Sequence, residues 1–212
     1  EYQRYPAEMG ALYGRRLKRA GKRDCYEWAV RLHVGLRPQQ IKAWTQEAIE
    51  NELASDIAVE RRLSATGEEV KISRGIRYLL EMGQLMHALE QAGFEVWVVS
   101  ATNIWSVRVF AGYSGIPPER VLGNRVTIED GLLTGQTQSP VLFREGKVAI
   151  IDQVIKKQPL LVAGDTVTDF EMLCYAQEMA LVIDCGNQAL RDSARERRWA
   201  LQPQSELTAV TS

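Results

Sequence analysis

The apolar positions of the chain change their period part-way along. From Met9 to Ile57 they step by three or four: Met9, Leu12, Tyr13 and Leu17, then Trp28, Ala29, Leu32 and His33, then Ile41, Trp44, Ala48, Ile49, Leu53 and Ile57. Such spacing puts each set on one face of a helix. Gly35-Leu36-Arg37-Pro38 interrupts the run, and Pro38 suits the first turn of the helix that follows. No convincing strand is visible before about residue 66, so the pattern predicts a lobe of about three helices.

From Gly75 the texture alternates. A helix is predicted from Leu79 to Gln91, closed by Gly93, then a buried strand from Phe94 to Ser100 and a helix from Ile104 to Tyr113. Val121-Leu122-Gly123 reads as a short strand, and Arg125 to Ile128 with Leu132 to Thr137 as a hairpin turning through Glu129-Asp130-Gly131. A helix over 147–157, a strand over 160–163, a helix from Phe170 to Gln177 and strands at Ala180 to Ile183 and Trp199 to Leu201 complete the pattern, before a tail expected to fray. Short apolar strands alternating with helices predict an α/β fold, a doubly wound parallel sheet of Rossmann-like type with a small helical lobe. The boundary is expected between residues 73 and 74, with the α/β core over 74–212.

Composition narrows the partners. The chain has 212 residues, 45% apolar and 25% charged, with a net charge of −1. Nothing global recruits nucleic acid or an anionic membrane, and no apolar window is long enough for a bilayer span. Cys25, Cys174 and Cys185 are odd in number and lack metal-ligand spacing. They read as reduced, mostly buried thiols, which leans toward the cytoplasm over the periplasm. The chain opens at Glu1 without a Met, so a missing targeting signal says little. Oligomeric state leaves no trace in the sequence. The run Arg15, Arg16, Lys18, Arg19, Lys22, Arg23 is a solvated helix face or a device for steering an anionic substrate.

The candidate chemistry sits at strand ends. Leu160-Leu161-Val162-Ala163 stops at Gly164, and Asp165 and Asp169 follow four residues apart where a helix begins. Ligands of open α/β sheets collect at the carboxyl ends of strands. Two close carboxylates repel unless a cation or proton intervenes, and Mg²⁺ suits one or two carboxylates plus a substrate phosphate. The plainer alternative is a helix N-terminus capped by Thr168, with Asp169 complementing the dipole. Ser100, with the amides of Ala101 and Thr102, can cradle an anion at a helix start, or serve as an ordinary N-cap. Lys147 stands near a helix start, where the dipole does not favour it; it is either an exposed surface lysine or a fixed cation for phosphoryl oxygens.

These segments, in this order, resemble the haloacid dehalogenase superfamily of phosphohydrolases, in particular its phosphoserine-phosphatase-like branch. Val98-Val99-Ser100-Ala101-Thr102 is similar to the second motif of that family, Glu145-Gly146-Lys147-Val148 to the third and Gly164-Asp165-Thr166-Val167-Thr168-Asp169 to the fourth. The helical lobe is similar to the cap that this branch inserts after its first strand. The resemblance implies that Ser100 and Lys147 hold phosphate, with the amides of Ala101 and Thr102 beside them. It implies that Asp165 ligates Mg²⁺, that Asp169 supports the metal site, and that Thr168 stands where many relatives carry Asn. The implied reaction is Mg²⁺-dependent hydrolysis of a small phosphorylated metabolite through an aspartyl-phosphate. The first motif of the family, Asp-x-Asp, supplies the nucleophile, and no Asp-x-Asp occurs in this chain. The expectation is that this strand lies upstream of Glu1, between the strands ending at Val99 and Ala163; a noncatalytic phosphate- or ligand-binding relative is the alternative. Trp28, Trp44 and Tyr26 in the lobe are helix-packing aromatics or a cradle for a quaternary ammonium group.

Overall fold

The computed structural model describes residues 5–211. In chain order it forms α1 (Tyr5–Arg31), α2 (Pro38–Ala54), β1 (Ala58–Leu63), β2 (Glu69–Arg74), a short β3 (Tyr78–Leu79) and α3 (Leu80–Gln91). Then come β4 (Val98–Asn103), α4 (Ile104–Tyr113), β5 (Val121–Asn124), β6 (Val126–Glu129) and β7 (Leu132–Thr137). The last part holds α5 (Glu145–Ile150), β8 (Leu161–Gly164), α6 (Phe170–Cys174), β9 (Met179–Asp184), α7 (Gln188–Arg197) and β10 (Ala200–Pro203). Two compact units result. One holds the chain up to Tyr78 together with Val126–Gln136, the other Leu79–Arg125 and Thr137–Ala209.

The first unit is built on α1 and α2, and α1 breaks at Gly21 into two helical pieces. Its apolar stripe buries Ala7, Ala11, Cys25 and Val30, and α2 adds Ile41 and Ile49. Gly10 lets α1 lie against β2, where an added Cβ would stand 2.4 Å from the Val70 methyl. One expectation fails here. β1 lies in the stretch read as strand-free and pairs with β2, just beyond it, as an antiparallel hairpin with Glu60 opposite Ile72 and Arg62 opposite Val70. Neither face of this hairpin is fully buried, so charged residues occupy both faces and the alternation that marks a half-buried strand is blurred. Cross-strand pairs support it instead, Arg61–Glu69 at 3.3 Å and Arg74–Glu60 at 3.4 Å. The compact unit that holds this lobe runs to Tyr78 and takes in the β6–β7 hairpin. Leu133 is the reason: it is 2% exposed, its N–H donates to Leu36 O at 2.9 Å, and its carbonyl accepts from Gly35 N at 2.8 Å.

The second unit is the parallel α/β part that the alternating pattern predicts. β4 pairs with β5, and β8, β9 and β10 form a second parallel ladder in the order β10-β9-β8. Among the described residues no ladder joins β4 to β8. Side chains nevertheless bridge the two groups of strands: Val99 and Ile155 pack both on the cluster around Val162, Leu173 and Val182 and on the cluster around Leu122, Leu142 and Ile150. The helix expected over 147–157 is α5 followed by a wider π turn over Ile151–Ile155. The tail does not simply fray, since Thr208 O accepts from Leu80 N at 2.9 Å and Thr208 N donates to Glu81 at 2.8 Å. The thiols also depart from expectation: Cys25 is buried, but Cys174 and Cys185 are exposed. No helix among the described residues is long and apolar enough to cross a membrane.

Candidate active site

Lys147 is the centre of the site. It enters on the first turn of α5, yet its side chain is only 7% exposed, so it is not a solvated surface lysine. A buried ammonium needs an anionic partner and satisfied donors. Here its Nζ donates to Asp169 Oδ1 and, at 3.3 Å, to the carbonyl of Val99 on β4. One side chain thus ties the β4 strand to the loop after β8.

That loop is folded around Asp169. The second carboxylate oxygen accepts from the N–H of Thr166 at 3.1 Å, the Thr166 hydroxyl at 3.0 Å and the N–H of Asp165 at 3.3 Å. Burial pushes the Asp169 carboxyl up; the Lys147 charge and hydrogen bond, with those from Thr166, more than reverse this and hold it below the usual carboxylate range. Gly164 is required beneath it, since a Cβ there would fall 2.7 Å from that of Asp169. Thr168 is buried, and its hydroxyl meets that of Thr166 at 2.7 Å. Asp165, one turn earlier, is different. Its side chain reaches solvent, but protein crowds one side of the carboxyl and the Asp169 charge stands near, and both push its pKa up.

Ser100, Ala101 and Thr102 occupy an irregular stretch of β4. Val99 pairs with Leu122 and Asn103 with Asn124, so three residues of β4 stand against the single Gly123 of β5. This is a bulge, a device that commonly re-aims groups beside active sites. Gly123 makes room for it, because a Cβ there would lie 2.7 Å from the Cα of Ile104. The Ser100 hydroxyl accepts from Thr102 N at 3.2 Å. α4 begins at Ile104 as its pattern predicts, but its N-cap is Asn103, accepting from Ser106 N at 2.8 Å, and not Ser100. The amides of Ala101 and Thr102 therefore belong to a strand bulge and not to a helix N-terminus.

One polar residue escaped the sequence reading. Asn124, at the end of β5, is 1% exposed, donates to Ala101 O at 2.7 Å and accepts from Leu142 N at 2.8 Å. It follows Val121-Leu122-Gly123 directly, and a polar residue closing an all-apolar strand was the available signal.

The donor set bears on a metal ion. Asp169 has both oxygens engaged by hydrogen bonds and braces Lys147 and the loop. Asp165 remains as a carboxylate whose ionised form is disfavoured by burial and by the Asp169 charge, with the Lys147 charge offsetting only part of this. Among the described residues no group of three or more His, Cys, Asp or Glu side chains is placed to share an ion. This fits a hard ion that takes one protein carboxylate, waters and the phosphate of a substrate, not an all-protein cage. In the other unit, Trp28 is covered by the Arg16 guanidinium at 5.4 Å and flanked by Tyr13 at 6.5 Å, whereas Trp44 is exposed.

The sequence matches the model of the haloacid dehalogenase-like hydrolase family over residues 3–173. The chain belongs to that family. Its fold is similar to a conserved, functionally unknown protein of Anaerococcus prevotii DSM 20548, with a TM-score of 0.73 and 29% identity over 85% of this chain. The chain spans 55% of that protein's length. A protein of unknown function from Bordetella pertussis Tohama I shares the fold at a TM-score of 0.69 and 18% identity, covering 91% of this chain and 80% of that one. A phosphoserine phosphohydrolase-like protein of Francisella tularensis subsp. tularensis SCHU S4 aligns at a TM-score of 0.39 and 22% identity, over 48% of this chain and 49% of its own, a likeness too partial to bear on activity. No curated protein matches the chain.

Proposed function

We propose that the protein is a phosphomonoester hydrolase of this hydrolase family, acting on a small phosphorylated metabolite with Mg²⁺. The observation that carries this reading is the burial of Lys147 between the Val99 carbonyl and Asp169, beside the Ser100 bulge. A phosphoryl group spreads charge over three oxygens and needs fixed positive charge and donors already in place. Lys147 supplies the charge, and its two anchors keep it from following solvent. The Ser100 hydroxyl and the amide of Ala101 supply donors, with the Thr102 amide orienting the Ser100 hydroxyl. Thr168, held by Thr166, shapes the rim of the loop. Asp165 would hold the ion, which supplies charge neutralisation at the phosphoryl group.

The nucleophile of the proposed reaction is an aspartate on a further strand, seated between β4 and β8 and encoded upstream of Glu1. Two parallel ladders whose facing edges lack a partner among the described residues favour such a strand, since inner edges leave rows of backbone groups unpaired. The aspartate attacks phosphorus, the alcohol leaves, and water then hydrolyses the aspartyl-phosphate. The absence of Asp-x-Asp from the chain favours a second reading, a noncatalytic phosphate-binding protein. Turnover of p-nitrophenyl phosphate decides between them, measured for residues 1–212 and for the protein extended upstream. Activity in the extended protein alone, lowered about a hundredfold or more by Lys147→Ala, is the expected result. An inactive extended protein that still binds phosphate would establish the second reading.

A further inference from the structure

Asn124 joins two segments, the β4 bulge and the stretch that leads into α5. Its amide nitrogen reaches the carbonyl of Ala101, in the middle of the β4 bulge, and its amide oxygen reaches the N–H of Leu142. From Leu142 the chain turns tightly into α5: Gly146 N donates to Phe143 O at 3.0 Å and Lys147 N to Arg144 O at 2.9 Å. Gly146 lies so close to the Val141 carbonyl that any Cβ would collide with it, at 1.8 Å. A displacement at Leu142 is therefore passed along a stiff segment to Lys147. At the other end, Ala101 stands between Ser100 and Thr102 in a stretch without a ladder partner of its own.

We propose that Asn124 is a positioning residue, setting the distance between the Ser100–Thr102 bulge and Lys147. The requirement is chemical as well as spatial. The site asks one short, planar, uncharged side chain to donate in one direction and accept in another, and a carboxamide does both. At 1% exposure, water cannot replace either bond. Asn124 touches no reacting group and acts through the segments it joins. This inference rests on the phosphoryl-binding reading of the site.

Asn124→Asp separates the two bonds. An ionised carboxylate still accepts from Leu142 N but repels the Ala101 carbonyl; once protonated, it can donate to that carbonyl again. Burial raises the pKa of such a carboxyl, which brings the change into an accessible range. Orthophosphate binding, with Mg²⁺ present throughout, is measured by calorimetry on the protein extended upstream of residue 1 for the wild type, Ser100→Ala and Asn124→Asp, with thermal melting alongside. Each variant is compared with the wild type at the same pH, so that the titration of phosphate cancels. Asn124→Asp is expected to bind about tenfold or more weakly near pH 8, with the deficit closing as pH falls, while the protein still melts cooperatively. A deficit that persists at low pH overturns the proposal, because loss of packing would not be repaired by a proton. Wild-type affinity near pH 8, with Ser100→Ala weakened, overturns it and leaves the site reading standing. A wild type that binds no phosphate overturns both. If Asn124→Asp is unfolded near pH 8, the smaller neutral Asn124→Ser decides: weakened binding in a folded protein upholds the proposal, and unchanged binding refutes it.

Discussion

The charged pairs of the two units answer to different physics. In the first unit Arg15–Glu68 at 2.8 Å joins side chains that are nearly half exposed, and Arg23–Glu27 at 3.4 Å is a helical pair of the same open kind. Such pairs are worth at most about 1 kcal/mol. They account for part of the basic run on α1 as a solvated face. In the second unit Lys147 and Asp169 are 7% and 6% exposed. Removing two such charges from water costs several kcal/mol per ion, and their attraction offsets this only with good geometry and further hydrogen bonds. The loop around Asp169 supplies those bonds. Well-packed apolar residues are often as stable as a buried ion pair, so the pair is better explained by the chemistry of the site than by the stability of the fold.

The sharpest way to break this contrast is to remove one member of the buried pair. Lys147→Met strands the Asp169 charge and is expected to cost about 3–5 kcal/mol, a fall in melting temperature of roughly 10 °C for a chain of this size. Adding Asp169→Asn to it removes the stranded charge while keeping an acceptor for the loop, and should recover at least half of that loss without restoring phosphate binding. If the single variant melts like the wild type, Lys147 is not buried as described.

Asp165 gives a smaller and opposite effect. Its folded pKa is raised, so the fold disfavours the charged form: the penalty is present at neutral pH and disappears as pH falls through the raised value toward the ordinary carboxylate range. Asp165→Asn should therefore raise the melting temperature in metal-free buffer at neutral pH by about 1–2 °C, and the gain should vanish below about pH 4. A destabilised Asp165→Asn at neutral pH would show that the carboxylate has a favourable partner. The smallest effect is expected from Arg15→Ala, within about 0.5 kcal/mol and reduced further by salt. A large loss there would remove the distinction between the two units.

The sequence carried the parallel α/β pattern because strands buried on both faces are continuous apolar runs. It marked Lys147 as an exception to the helix-dipole rule, and that exception coincides with burial and an ion pair. It did not carry β1 and β2, whose two faces both meet solvent, so that Glu60, Arg61, Arg62, Glu69 and Lys71 mask the period of two. The bulge at Ser100 is a property of register, which exists only once β5 lies beside β4. Spacing located the Asp169 carboxylate but not the direction its oxygens face, toward Lys147, Thr166 and the Asp165 amide. Asn124 was passed over for a related reason: its significance depends on Ala101 and Leu142, neither of which is polar in its side chain.

The β6–β7 hairpin has a consequence for inheritance. It begins directly after Arg125, inside the stretch of chain that builds the second unit, yet it completes the first through Leu133. The first unit is thus written in separate passages of the gene, among them the N-terminal segment and residues 126–136. A recombination event with one crossover cannot deliver it whole: exchange at residue 78 would bring helices whose α1–α2 loop meets a foreign hairpin, with Gly35 and Leu36 facing whatever stands at position 133. A chimera between relatives has to graft residues 126–136 along with the N-terminal segment.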